Sequence, residues 1–295
     1  MSIPIEIITA DEAELTRAGF SWRERDGVRI LVCAPLEQEG FANGFSTRLG
    51  GVSPMPHDAL NLAGFDDDAA ENIYENRRRF LRLFDGEWTL AAGWQVHGSH
   101  VRVVPDALDA LGPHDARGET VHCDALVTSA PRVLLGVKTA DCVPIILGDA
   151  RRGAVAAVHA GWRGTLARIV GAALDRMRRE YGTRAEDVSA GIGPAAGPCC
   201  YEVGQEVIEA FRERFTEADE LLTPSRVGHA LIDLQRANRN QLIDAGVPGE
   251  RVHVAPLCTM CRTDLFFSYR REKSLHGRVG RLMSVIGRDE GRGMK

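Results

Sequence analysis

The chain has 295 residues, of which 44% are hydrophobic and 26% charged, an ordinary composition for a soluble globular protein. Its formal net charge of −5 provides no basic surface for binding a phosphate backbone, so we expect no nucleic-acid partner. Apolar runs stay shorter than about 18 residues and the N-terminus has no basic leader, so we expect a cytoplasmic protein without membrane contact. Seven scattered cysteines do not suggest a secreted disulfide framework, so we expect reduced thiols.

Apolar residues recur at helical spacing in four segments, with short β-like runs between them. The first helix is expected to start after Asp66-Asp67-Asp68, and Thr165 is the expected cap of the second. The segment Asp106–Gly118 is expected to be a mobile surface loop or a strap between domains. In chain order, the predicted elements are strand 29–34, helix 69–84, strands 101–104, 125–128, 133–137, 143–147 and 154–158, helix 166–181, strand 188–192, helices 203–215 and 233–245, and strands 252–255, 266–269 and 282–286.

The predicted strands outnumber the helices by more than two to one, which indicates an α+β fold with helices packed outside a sheet or a pair of sheets. The four consecutive strands between residues 125 and 158 are joined by links too short for crossover helices. We therefore expect these strands to pair in antiparallel fashion.

Three residues with metal-binding side chains lie where a strand-like run meets a tight turn: His97, Cys142 and His159. Two imidazoles and a thiolate suit zinc, and three protein ligands leave one coordination position open for water or substrate. The spacing is not that of a compact zinc finger, and each residue could instead be a core histidine or a buried thiol. Because the three residues lie on both sides of Asp106–Gly118 and must meet, we expect one domain over residues 1–295.

Several long blocks of the chain resemble the signature sequences of the YfiH/YlmD family, also known as purine nucleoside phosphorylase, laccase-domain protein or peptidoglycan editing factor. The resemblance covers most of the chain, and its blocks occur in the family's order. They are Asn43–Pro54, Gly93–Gly98, Thr139–Pro144, His159–Gly164, Gly191–Gly204 and Leu265–Arg271.

This resemblance implies a single α+β domain whose mixed, largely antiparallel sheets are sandwiched between helices in α/β/β/α layers. It also implies that His97, Cys142 and His159 bind zinc. The activities it implies are phosphorolysis of adenosine, inosine and methylthioadenosine to the free base and the (methylthio)ribose 1-phosphate, together with adenosine deamination. The expected partners are therefore a purine nucleoside and phosphate, and we expect a monomer.

Such chemistry needs further groups beside the metal. Deamination requires a proton shuttle, for which Asp141 is the candidate, with structural support of the site as its alternative role. Phosphorolysis requires a phosphate site, and arginine grips phosphate with two hydrogen bonds. Arg48 and Arg163 are the candidates, and the alternative for each is a surface or structural ion pair.

Four other cysteines lie near two of the family blocks. Cys258 and Cys261 form a lone Cys-x-x-Cys pair, which is half a zinc knuckle at most. Cys199 and Cys200 follow a Gly- and Pro-rich segment that lacks the lysine and spacing of a phosphate-binding loop. We expect these two cysteines to line the pocket or to pack in the interior.

Three other functions use the same residues. Two histidines and a cysteine also form a blue-copper ligand set, so Cu²⁺ and a polyphenol oxidase activity are an alternative, although nine histidines without a His-x-His pair are few for several coupled coppers. An amidase that edits amino acids misincorporated into peptidoglycan precursors would use the same open zinc site. A metal-stabilised binding module without catalysis is the third alternative.

Overall fold

Two six-stranded sheets packed face to face form the centre of the fold. The computed structural model describes residues 12–55, 58–63, 68–105 and 121–289. In spatial order, the first sheet contains β1 (Phe20–Arg25), β2 (Val28–Cys33), β3 (Phe41–Ser46), β15 (Leu282–Arg288), β7 (Val133–Thr139) and β4 (Thr89–Ala92). The second sheet contains β14 (Val252–Val254), β10 (Val188–Ile192), β8 (Val143–Asp149), β9 (Ala154–Ala160), β6 (Ala125–Thr128) and β5 (Val101–Val103).

Most neighbouring strands among the described residues run antiparallel. The pairs β4–β7, β5–β6 and β10–β14 are parallel. A third, smaller sheet is fully antiparallel and consists of β11 (Glu202–Gly204), β13 (His229–Ile232) and β12 (Leu222–Pro224).

Helices cover the outer faces of both large sheets. On the first sheet, α3 contributes Phe80 to the hydrophobic core that also contains Ile30 and Val285, whereas α5 and α8 pack on the second sheet. The helices are α1 (residues 12–17), α2 (Ala34–Gln38), α3 (Ala70–Leu81), α4 (Trp162–Leu166), α5 (Ile169–Tyr181), α6 (Gln205–Arg214), α7 (Ala218–Leu221), α8 (Leu234–Asp244) and α9 (Tyr269–His276), with 3₁₀ turns at Ala185–Asp187 and Gly249–Arg251.

Among the described residues, three hydrophobic cores separate these layers, one under α3, one between the sheets and one under α5 and α8. Every residue of β8 and β9 is buried, because one face of each strand meets the first sheet and the other meets the helices. A strand buried on both faces has no solvent side, which explains why most residues of these two strands are apolar and do not alternate with polar ones. The resulting α/β/β/α layering confirms the predicted fold class.

All four predicted helices are present, as α3, α5, α6 and α8. Thr165 is not the cap of α5, because that helix begins only after Arg168, which has a left-handed backbone conformation with φ of 54°. The predicted strand 266–269 was also wrong, since Ser268 caps α9 by accepting a hydrogen bond from the Arg271 N–H group. The segment Asp106–Gly118, and Asp66 and Asp67 before α3, lie outside the described residues.

The predicted antiparallel pairing of four consecutive strands was only partly correct. The pairs β8–β9 and β6–β9 are antiparallel, but β7 belongs to the other sheet, where it pairs with β15 and β4. The short links on either side of β7 therefore cross between the two sheets. Within the described residues, no helix has both the length and the apolar character needed to cross a bilayer.

Candidate metal centre and substrate pocket

The three predicted ligands lie together at one end of the strands. His159 is near the end of β9 and pairs with Pro144 at the start of β8, so Cys142 lies just before β8 at the same end. His97 belongs to the link from β4 to β5, and β5 runs parallel to β6 from that end. The Gln95 side chain fixes this link, because it donates to the Lys138 carbonyl oxygen at 2.6 Å and accepts from the Lys138 N–H group at 2.7 Å.

These side chains form a tight group. One ligand atom from each of His97, Cys142 and His159 lies within 4.8 Å of the other two. The two imidazole rings are 4.9 Å apart between centroids and nearly perpendicular, at 79°. Gly161 packs against the group, since a Cβ atom at that position would lie 3.0 Å from the Cys142 Sγ atom. The absence of a side chain at Gly161 therefore leaves room for the cluster.

A buried carboxylate that the sequence did not reveal holds this arrangement together. Asp124 is fully buried, and its Oδ1 atom lies 2.8 Å from Nδ1 of His159 and accepts from the His97 N–H group at 2.9 Å. Its Oδ2 atom accepts from the Gly98 N–H group at 2.7 Å. Because Nδ1 of His159 is engaged by Asp124, its Nε2 atom remains for a metal, the usual carboxylate–histidine pairing at metal sites.

Cys142 and His159 shift each other's pKa values in opposite directions. Burial raises the pKa of the Cys142 thiol, but the positive charge of His159 and hydrogen bonds from both imidazoles outweigh burial and lower this pKa to about 6. Burial lowers the pKa of His159, whereas the Cys142 thiolate and the Asp124 carboxylate raise it to about 9. At neutral pH the thiolate of Cys142, the form of cysteine that binds metals, is therefore favoured, whereas His159 carries a proton that a metal ion must displace.

A cavity of about 720 Å³ opens onto the cluster. Four aromatic side chains and four cationic side chains contribute to its walls. The aromatic residues are Trp94, Trp162, Tyr201 and Tyr269, and the cationic residues are Lys138, Arg163, Arg270 and Arg281. The cavity can therefore contact a flat ring and an anion beside the three candidate ligands.

Asp141 lines the same cavity, but hydrogen bonds from the protein engage both of its carboxylate oxygens. Oδ1 accepts from the Thr259 hydroxyl at 2.7 Å, and Oδ2 accepts from the Ser268 hydroxyl at 3.0 Å and the Arg270 N–H group at 2.7 Å. These contacts hold the first turn of α9, which carries Tyr269 and Arg270. The contacts favour the structural role of Asp141 over the predicted proton shuttle.

The structure separates the two arginines that were expected to bind phosphate. Arg163 lines the cavity, and its guanidinium group stacks over the Trp162 ring at 4.1 Å. Arg48 is placed elsewhere: its guanidinium group donates to Glu272 at 2.8 Å and to the carbonyl oxygens of Thr263 and Met55 at 2.9 and 3.0 Å. The structure thus gives Arg48 the structural ion pair that was its alternative role.

Two cavity arginines were missed by the sequence reasoning. Arg270 donates to the Glu202 carbonyl oxygen at 3.0 Å, and Arg281 donates to the Val279 carbonyl oxygen at 2.8 Å. Arg270 lies within the last family block, Leu265–Arg271, and Arg281 lies ten residues beyond that block. The block was the available signal for Arg270, but only the fold shows that both arginines line the same cavity as Arg163.

Comparison with known proteins identifies the family. A profile described as multi-copper polyphenol oxidoreductase laccase matches residues 42–289. The crystal structure of YlmD from Geobacillus stearothermophilus superposes with a TM-score of 0.82 at 34% sequence identity, covering 92% of this chain and 99% of that one. The chain belongs to the YfiH/YlmD family.

Named relatives within the YfiH/YlmD family are enzymes. The purine nucleoside phosphorylase of Bacteroides thetaiotaomicron is 38% identical over 244 residues, which are 82% of this chain and 89% of that protein. The adenosine deaminase RL5 from an unknown prokaryotic organism is 36% identical over 230 residues, which are 77% of this chain and 87% of that protein. These similarities support an enzyme that acts on a small molecule.

Proposed function

We propose that this chain is a zinc-dependent purine nucleoside enzyme. Its main reaction would be phosphorolysis of adenosine, inosine or methylthioadenosine to the free base and the (methylthio)ribose 1-phosphate, with adenosine deamination as a second activity. The observation that carries the proposal is the single cavity in which the His97, Cys142 and His159 cluster meets aromatic and cationic walls. Both reactions are supported by the similarity to relatives named purine nucleoside phosphorylase and adenosine deaminase.

The donor set fits the proposed metal. Two imidazoles and one thiolate are typical zinc ligands, and the side of the cluster that faces the cavity leaves room for a fourth. When bound by His97, Cys142 and His159, zinc would supply Lewis-acid catalysis. Asp124 would keep the His159 ring oriented through its Nδ1 atom.

The cavity walls suggest how a nucleoside and phosphate are held. A purine ring can stack on the aromatic side chains, which contribute dispersion and electrostatic attraction. Arg163, Arg270 and Arg281 can hold phosphate through charge-assisted hydrogen bonds. We assign phosphate to these three arginines and not to Arg48, because the Arg48 guanidinium group is already engaged by Glu272 and backbone carbonyl oxygens. Asp141 would position Arg270 by accepting its backbone N–H group.

The test combines metal content with product analysis. Protein purified without added metal is analysed for zinc and copper, and then incubated with adenosine or inosine in the presence and absence of phosphate. Phosphate-dependent release of adenine or hypoxanthine by a zinc-containing protein is the expected result. Zinc without any nucleoside turnover would overturn the proposal and direct attention to the amidase, for which a muramyl-amino-acid nucleotide is the probe. Copper at the cluster would instead favour the oxidase.

A further inference from the structure

The two cysteine pairs that are distant in the sequence meet in the structure. The Sγ atoms of Cys199, Cys200, Cys258 and Cys261 all lie within 4.8 Å of one another. The Sγ atom of Cys261 lies 3.5 Å from that of Cys199 and 3.3 Å from that of Cys200. The Cys-x-x-Cys pair is therefore isolated in the sequence but not in the fold.

Interior packing does not explain this group. Cys199 and Cys261 are exposed and the other two are partly exposed, whereas free cysteines that serve only as packing residues are usually buried. A disulfide would join two of the sulfur atoms at about 2.05 Å, and the other two thiols would need a second disulfide of their own. By contrast, a tetrahedral zinc ion with Zn–S distances of about 2.3 Å places its sulfur ligands roughly 3.8 Å apart, close to the spacing found here.

The surroundings of the sulfur atoms also fit thiolate ligands. The Gly197 N–H group donates to the Cys258 Sγ atom at 3.3 Å, and the Arg271 guanidinium group lies 3.8 Å from the Cys200 Sγ atom. Four thiolates around one divalent ion carry excess negative charge, which a nearby N–H group and an arginine both stabilise.

We propose that Cys199, Cys200, Cys258 and Cys261 form a second zinc site, structural in character and separate from the His97, Cys142 and His159 cluster. Four protein ligands close the coordination shell, so this ion has no position for substrate. The proposal goes beyond the nucleoside activity and does not depend on it.

The second ion would connect two segments that hold residues of the substrate cavity in place. Cys200 directly precedes Tyr201, and Cys258 directly precedes Thr259, whose hydroxyl group donates to Asp141. The β-bridge between Ala195 and Cys258 already brings the two segments side by side. Zinc would join these segments covalently and fix two walls of the substrate cavity.

The experiment separates the two sites by mutation. Untagged wild-type protein from a zinc-supplied culture is expected to hold two zinc ions per chain by elemental mass spectrometry, and Cys142→Ala is expected to hold one. Adding Cys261→Ser to Cys142→Ala should remove that remaining zinc. Adding Cys33→Ala instead, which removes a buried thiol outside both clusters, should leave the remaining zinc in place.

X-ray absorption spectroscopy then identifies the ligands of the remaining ion. In Cys142→Ala, the zinc should have four sulfur neighbours at about 2.3 Å. The same measurement on wild-type protein does not depend on any variant folding: the average of a four-sulfur and a one-sulfur site is about 2.5 sulfur neighbours per zinc, against one if only the first site exists. Zinc-free Cys142→Ala with four titratable thiols or a disulfide, iron in place of zinc, or zinc that survives Cys261→Ser would each overturn the second site. Nucleoside turnover does not enter these readouts, so failure of the proposed function is detected separately.

Discussion

Replacement of Asp124 by asparagine tests whether this buried carboxylate organises the metal cluster. An asparagine side chain keeps the size of Asp124 but has only one acceptor oxygen and places an NH₂ group at the other position. If the oxygen faces His159 and the His97 N–H group, the NH₂ group meets the Gly98 N–H group, which donates to Asp124 at 2.7 Å in the native protein. If the amide is reversed, the NH₂ group meets His97 and His159 instead.

Either orientation leaves a well-placed buried donor without an acceptor and removes the negative charge beside His159. An unsatisfied buried donor costs about 1–3 kcal/mol, and hydrogen bonds to a charged acceptor are stronger than those to a neutral one. We therefore expect Asp124→Asn to lower the free energy of unfolding by about 2–4 kcal/mol. Loss of the histidine partner should also weaken zinc binding by roughly 10- to 100-fold.

The assay pairs urea unfolding with zinc competition against a chelator. Asp175→Asn is the matched control, because Asp175 pairs with Arg178 on the surface of α5 with 55% of its side chain exposed. The control should change stability by less than about 0.5 kcal/mol and leave zinc affinity unchanged. An Asp124→Asn protein with the stability and zinc affinity of the wild type would refute the role assigned to this carboxylate.

Three further predictions concern the cavity and its edge. Gly161→Ala should weaken zinc binding in the same competition assay, because its Cβ atom would lie 3.0 Å from the Cys142 Sγ atom, and a variant with the zinc affinity of the wild type would contradict this prediction. Gly171→Ala in α5 is the control, because its Cβ atom would enter open space and should stabilise the helix by about 0.5–1 kcal/mol. Arg163→Ala should raise the KM for phosphate at unchanged Tm. Arg48→Ala should instead lower the free energy of unfolding by about 3 kcal/mol, because it removes the arginine that pairs with the largely buried Glu272 carboxylate, and the reverse pattern would return Arg48 to the phosphate site. In metal-free protein at neutral pH, peptide mapping should show that Cys142 is alkylated at least about 10-fold faster than the buried thiols of Cys123 and Cys33. The pKa of Cys142 is lowered to about 6, whereas burial raises the pKa of Cys123 to about 11 and that of Cys33 to about 12. Protection of Cys142 from alkylation would contradict the thiolate assignment.

Local sequence patterns predicted the elements that are buried on a regular face. The apolar runs of β8 and β9 and the amphipathic face of α5 correspond to layers of the core, so their patterns follow directly from burial. The strand β3 was missed because Asn43 and Gly44 are typical turn residues. In the structure, the Asn43 amide accepts from the Cys33 N–H group at 2.9 Å, and Gly44 leaves room for the Ile30 side chain.

The candidate site was predicted unevenly for a similar reason. The chemistry of His97, Cys142 and His159, together with the family resemblance, was sufficient to select the residues that the fold brings together. The role of Asp124 depends on complete burial and on backbone donors from a distant link, which no local pattern reveals. The ion pair of Arg48 could not be predicted from local sequence, because its partner Glu272 is more than 200 residues away in the chain.

The two metal sites proposed here differ in what holds their ligands. His97 lies in the link from β4 to β5, and Cys142 lies in the link from β7 to β8, so both ligands occur where the chain passes from the first sheet to the second. Positive φ angles of 60° at His97 and 88° at Asp141 mark the sharp turns of these crossings. Such angles cost energy in non-glycine residues and persist only where the surrounding structure enforces them. Strand pairing and Asp124 therefore hold the three ligands His97, Cys142 and His159 in place before any metal binds. The four cysteines lie in two loop segments, which the bridge between Ala195 and Cys258 and the hydrogen bond from the Gly197 N–H group to the Cys258 Sγ atom connect, and the proposed second ion would add a further link between them.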